Sequence, residues 1–166
     1  MEILYQYFRN YSFFFSSLTI LDLTSIYDNR ITFVDNDIRV EGMIYLTLMI
    51  KNNNFPYLQE LSLVSNRIQD TGMLEFISLL KYHFLPNLQI LYLTDNGLND
   101  ESIQEFIPIL DKKCVASNME LYLGCNKISR PVIQLFVDRL SIRGNEKPLK
   151  FVAIEKSNCF LIEYEK

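Results

Sequence analysis

The stretch Leu58-Gln59-Glu60-Leu61-Ser62-Leu63-Val64-Ser65-Asn66-Arg67-Ile68 returns 30 residues later as Leu88-Gln89-Ile90-Leu91-Tyr92-Leu93-Thr94-Asp95-Asn96-Gly97-Leu98. Large apolar residues hold the same places in both, and an asparagine holds the same place near the end. The same step of 30 leads back to Asn36 and on to Asn126. Other columns keep it. Ile31, Leu61, Leu91 and Leu121 form one, and Phe33, Leu63, Leu93 and Leu123 a second. Ile38, Ile68, Leu98 and Ile128 follow the asparagines. Farther along come Met43, Met73, Ile103 and Ile133, then Leu46, Phe76, Phe106 and Phe136, then Ile50, Leu80, Leu110 and Leu140. A fixed period over so many columns marks an internal repeat.

Within one unit the period changes. Around Leu61 apolar and other residues alternate, as in a strand with one buried face. After Asn66, the residues Met73, Phe76, Ile77 and Leu80 follow the spacing of one helix face. A lone strand and helix cannot cover both faces, whereas stacked copies can. Each buried Leu or Phe contributes roughly 1.5–3 kcal/mol, against about 1–2 kcal/mol for ordering each backbone residue. The units are therefore expected to fold only together.

The pattern L-x-x-L-x-L-x-x-N-x-L resembles the leucine-rich repeat family. The unit length, with Gly42 and Gly72 six residues after their asparagines, is similar to the ribonuclease-inhibitor-like subtype. The resemblance implies an α/β solenoid: a curved parallel sheet inside, helices outside, about four clear repeats and degenerate ends. One domain over 1–166 is expected, with a degenerate N-terminal repeat at 1–27, clear repeats at 28–140 and a degenerate C-terminal cap at 141–166. The outer units depart from the pattern. Asp28 and Asn118 stand at the first leucine position, and Met119 is expected to replace the latter by a one-residue slip. One step before Asn36 lies Gln6, with Ile3 and Phe8 in apolar columns. One step after Asn126 lies Lys156, with Phe151 and Ala153 at strand columns. Pro56 and Pro86 precede strands, where no ladder N–H is missed, and Pro131 suits the first turn of a helix. Pro108 falls inside a helix pattern and is expected to kink or shorten it.

Composition excludes several functions. With 49% hydrophobic and 22% charged residues the chain is globular rather than disordered. Its net charge of −4 and lack of a basic run argue against nucleic acid; Lys112 and Lys113 read as a solvated helix end. Cys114, Cys125 and Cys159 are odd in number and widely spaced, which fits reduced thiols in a cytoplasmic protein. The apolar stretch with Phe13, Phe14, Phe15, Leu18, Ile20, Leu21 and Leu23 is too short to span a bilayer and contains Asp22. Glu2 offsets Arg9, and no small-residue cleavage pattern follows, so the stretch reads as part of the fold rather than a signal peptide. The single histidine, His83, reads as a helix-surface residue, and Cys125 as a small buried thiol. No nucleophile–base pair, phosphate loop or metal spacing occurs. Neither an enzyme nor a cofactor, metal or membrane contact is expected.

Residues between the leucine columns point away from the core. They form rows: Arg30, Glu60, Ile90, Glu120; Thr32, Ser62, Tyr92, Tyr122; Val34, Val64, Thr94, Gly124. Packing does not require Ile90, Tyr92 and Tyr122 to be large, and strands about 4.8 Å apart would make the tyrosines neighbours. Tyrosine anchors with acids around them suit a protein interface, and Asp35, Asp37, Asp95, Asp100 and Glu101 fall in the adjoining loops. The expected partner-binding residues on the concave face are Tyr92, Tyr122, Ile90, Glu60, Glu120, Ser62, Thr94 and Asp95. Asn36, Asn66, Asn96 and Asn126 are expected to form a structural ladder, since a carboxamide offers both donor and acceptor to turning backbone. The function expected is protein binding by a monomer or by part of a larger repeat protein. Two alternatives stand beside it. The resemblance also extends to Ran-type GTPase-activating proteins, implying a small-GTPase regulator, and a cleaved N-terminus would imply a secreted recognition protein.

Overall fold

A computed structural model of the protein describes residues 30–52, 55, 57–111, 114, 119–142 and 150–152. The expected repeat at 1–27, Asn118, Lys112, Lys113, Pro56, Ala153, Lys156 and Cys159 lie outside these residues, as do the side chains of Leu110, Leu140 and Phe151. Strands and helices alternate: β1 (Arg30–Thr32), α1 (Arg39–Lys51), β2 (Glu60–Ser62), α2 (Gln69–Lys81), β3 (Ile90–Tyr92), α3 (Asp100–Asp111), β4 (Glu120–Tyr122), α4 (Arg130–Ile142) and β5 (Lys150–Val152). The strands form one parallel sheet in the order β1-β2-β3-β4-β5. The register keeps the step of the sequence, for Ile31, Leu61, Leu91, Leu121 and Phe151 are successive partners. β5 thus carries the sheet one unit into the segment read as a degenerate cap.

The buried interior lies between sheet and helices. Leu61, Leu91 and Leu121 are each 0% exposed. Phe76, Phe106 and Phe136 are buried on the helix side, with the last two rings 5.8 Å apart. Met119 is also fully buried, as a one-residue slip requires. Gly42 and Gly72 mark close approach between helix and loop: a Cβ there would come within 2.5 Å of Ile38 Cγ2 and 2.7 Å of Ile68 Cγ2. Val132 stands at that place in the fourth unit and is itself buried, leaving Ile133 only half-buried, less covered than Met43, Met73 or Ile103.

Pro108 does not shorten α3 at its end. That helix ends at Asp111, equivalent to Lys81 at the end of α2, and the residue it lacks relative to α2 is at its start. The proline withholds one N–H from a helix with only three residues left, and its ring is exposed. Pro131 lies in the first turn of α4, where its missing N–H has no helical partner to lose.

Helix starts are completed from neighbouring units. Asp70 Oδ1 accepts the Asn99 N–H at 2.9 Å and the Ser102 N–H at 3.4 Å, and Asp100 Oδ1 accepts the Ser129 N–H at 2.6 Å. These carboxylates satisfy donors that the next helix cannot pair internally. At the other end of α2, the Phe84 N–H reaches the Leu79 carbonyl at 3.0 Å and the His83 N–H the Leu80 carbonyl at 3.1 Å. This is a Schellman closure with His83 in the left-handed region, φ 58°. His83 is therefore an exposed turn residue beyond the helix rather than on its surface.

Candidate functional site on the outer strand face

Pairing in register fixes what meets on the face away from the helices. Alternate residues of each strand point there, so Arg30, Glu60, Ile90 and Glu120 make one row, and Thr32, Ser62, Tyr92 and Tyr122 the next. Tyr92 and Tyr122 stack, with ring centroids 4.5 Å apart and planes 22° from parallel. Arg30 Nε lies 3.0 Å from a Glu60 carboxylate oxygen. The Tyr122 hydroxyl donates to Glu120 at 2.7 Å. Ser62 is buried, while Glu60, Ile90, Tyr92, Glu120 and Tyr122 are half-buried. A hollow of about 300 Å³ opens at the start of the strands, lined by Arg30, Gln59, Glu60, Gln89 and Ile90.

The electrostatics follow from this arrangement. The hydrogen bond to Glu120, then burial and the nearby carboxylates, hold the Tyr122 phenol well above its ordinary range. Burial raises Tyr92 too, assisted by the charges of Glu60 and Glu120 and opposed by Arg30. Both phenols stay protonated at neutral pH, as amphipathic rings with negative charge beside them.

The loop acids have differing surroundings. Asp37 is held by Arg39 and Arg67, at 2.5 and 3.2 Å; the hydrogen bond from Arg39 depresses its carboxyl most. Asp100 caps the next helix and Asp95 accepts from the Ser65 hydroxyl at 3.1 Å. Of the five expected acids, Asp35, Asp95 and Glu101 are exposed. Thr94 is half-buried in the row beyond Tyr92. Cys125 is half-buried rather than buried, because it occupies a left-handed turn position, φ 57°, that brings it toward the surface. The cations Arg30 and Arg67 were absent from the expected site. Their signal was available, since Arg30 shares a column with Glu60 and Arg67 with Asp37.

Behind the face, the asparagines tie unit to unit. Asn96 Oδ1 accepts the N–H groups of Asn66 at 3.0 Å and Ile68 at 3.4 Å, while its Nδ2 donates to the carbonyls of Leu63 at 2.7 Å and Thr94 at 3.2 Å. Asn66 does the same toward Asn36, Ile38, Phe33 and Val64, and Asn126 toward Asn96, Leu98, Leu93 and Leu123. All of this carboxamide's capacity is used at a buried corner. Among the described residues, no cluster of His, Cys, Asp and Glu is arranged to hold a metal ion, and no helix is long and apolar enough to cross a membrane.

Residues 56–76 and 84–106 match a family model described as Leucine Rich repeat. Two of the units are leucine-rich repeats. With the parallel sheet and the alternating helices, the architecture is a leucine-rich-repeat solenoid. No curated protein matched the chain in sequence. Leucine-rich repeats commonly mediate protein–protein interaction and are typically not enzymatic.

Proposed function

We propose that this chain is a non-enzymatic interaction module of the ribonuclease-inhibitor-like subtype, holding a protein partner on the concave strand face. The observation that carries the reading is the Tyr92–Tyr122 stack at 4.5 Å, which is not part of the buried interior. The fold needs small or polar residues there no less than aromatic ones, as Thr32 and Ser62 illustrate in the same row. Two adjacent tyrosines supply a rigid, amphipathic surface of the kind that dominates interface energetics. Glu60, Glu120, Ile90, Ser62, Thr94 and Asp95 surround the anchor. The alternation of short strands with helices of 12 or 13 residues at this period supports the subtype. The Cys125 thiol, which forms no disulfide, supports a cytoplasmic location, and the chain is read as a monomer or part of a larger repeat protein.

The test is a Tyr92→Ala, Tyr122→Ala double variant compared with the parent chain in parallel affinity purifications. At matched thermal stability, proteins retained by the parent should be lost by the variant. The same set of bound proteins on both would overturn the concave-anchor reading.

A further inference from the structure

We propose that the hollow beside Glu60, together with the exposed part of the Tyr92 ring, takes an arginine side chain of a protein partner, and that Arg30 holds the Glu60 carboxylate until that side chain arrives. This deepens the use proposed for the strand face and rests on it.

Three observations converge. First, Tyr122 covers the face of Tyr92 on the β4 side, so the second face of the ring looks over β2, where the paired residue is the small, buried Ser62. The Tyr92 ring is itself only half-buried, so part of it stays open to a flat group. Second, carboxylates flank that place: Glu60 and Glu120 are the strand partners on either side of Ile90, one position below the tyrosine row. Both charges reach the Tyr92 phenol and help raise it. Third, the hollow of about 300 Å³ leads from the start of the strands to Glu60. A guanidinium suits this combination better than an ammonium, because its plane stacks on a ring while its edge presents paired donors to a carboxylate.

Arg30 already demonstrates the chemistry. Its guanidinium lies 3.0 Å from Glu60, and its side chain is 57% exposed against 20% for Glu60. The Arg30 end of the pair therefore stands in water, which screens the attraction. A second guanidinium that adds ring stacking to the same carboxylate can displace it. Arg30 thus acts as a built-in competitor and sets a threshold for occupancy.

Acetylated, amidated tetra-arginine and tetra-lysine peptides serve as probes, titrated at low salt into the full chain with amide chemical shifts as readout. In the parent chain, shifts on tetra-arginine should cluster at Gln59–Ser62 and Ile90–Tyr92. Arg30→Gln should tighten tetra-arginine by about three-fold, and Glu60→Gln should weaken it similarly, the scale of one exposed charged pair. Tyr92→Leu should weaken tetra-arginine by about three-fold and tetra-lysine less. Arg30→Gln and Glu60→Gln leave both tyrosine rings in place, so they remain informative if Tyr92→Leu perturbs the fold. Unchanged or weaker binding in Arg30→Gln, shifts elsewhere on the chain, or equal affinity for the two peptides would each overturn the arginine site. If partner capture still depended on Tyr92 and Tyr122 in those cases, the binding face would stand without it.

Discussion

Tyr122 shows how one side chain couples packing to charge. Its hydroxyl donates to Glu120 while its ring lies against Tyr92, so ionising the phenol would both break a bond and set two negative charges together. A phenol raised in the folded state contributes stability that is fully present below the unfolded value of 10.0 and is lost as pH rises through the folded value. Alkaline titration by phenolate absorbance should therefore find Tyr92 and Tyr122 ionising late. Glu120→Gln should bring Tyr122 down toward its ordinary range and move Tyr92 less, because burial is the first cause of the Tyr92 shift. A Tyr122 midpoint that ignores the substitution would contradict the bond's role. The adjacency of the rings was legible from the 30-residue step alone. The bond from Tyr122 to Glu120 was not, because a strand pattern states which residues share a face but not which rotamers they choose.

Among the elements, the turns carry what the pattern did not announce. Asp35, Asp37, Arg39, Ser65, Arg67, Gln69, Asp95 and Cys125 all have positive φ, as do His83 and Gly97. Only Gly97 advertises that conformation through its lack of a Cβ. Backbone bonds across units hold several of the others: the Arg39 N–H reaches the Asn66 carbonyl, and the Gln69 N–H the Asn96 carbonyl, each at 2.9 Å, while His83 is held by the closure of its own helix. Helix faces and strand faces were legible because burial repeats with their period, and Met119 could be found because an apolar residue next to a polar one betrays a slip. The end of α2 was not legible, since a histidine does not signal a left-handed closure. His83→Gly should keep the Schellman bonds and remove the Cβ conflict, raising stability by about 1 kcal/mol in denaturant unfolding. No gain would mean that the exposed imidazole offsets its strained backbone in some other way.

At the scale of the whole molecule, stability rests on connections between units. Each carboxamide from Asn66 to Asn126 joins its own unit to the one before, and Asp70 and Asp100 reach the one after. Asn96→Ala should strip partners from buried N–H and carbonyl groups in two units at once and cost about 3 kcal/mol. The loss should appear as a lower denaturant midpoint, with faster amide exchange at Asn66 and Ile68, whose N–H groups Asn96 accepts. Exchange that accelerates only near residue 96 would argue against a continuous ladder. The same bonds govern how such a chain can change its length. Because the carboxamide tethers span 28, 30 or 33 positions and the aspartate tethers 29 or 32, gaining or losing one complete module restores each donor to an equivalent acceptor. A gap of any other size inside a module would leave the lattice of bonds out of phase, so viable length variants of this protein should differ by whole modules or be confined to the connectors between helix and strand.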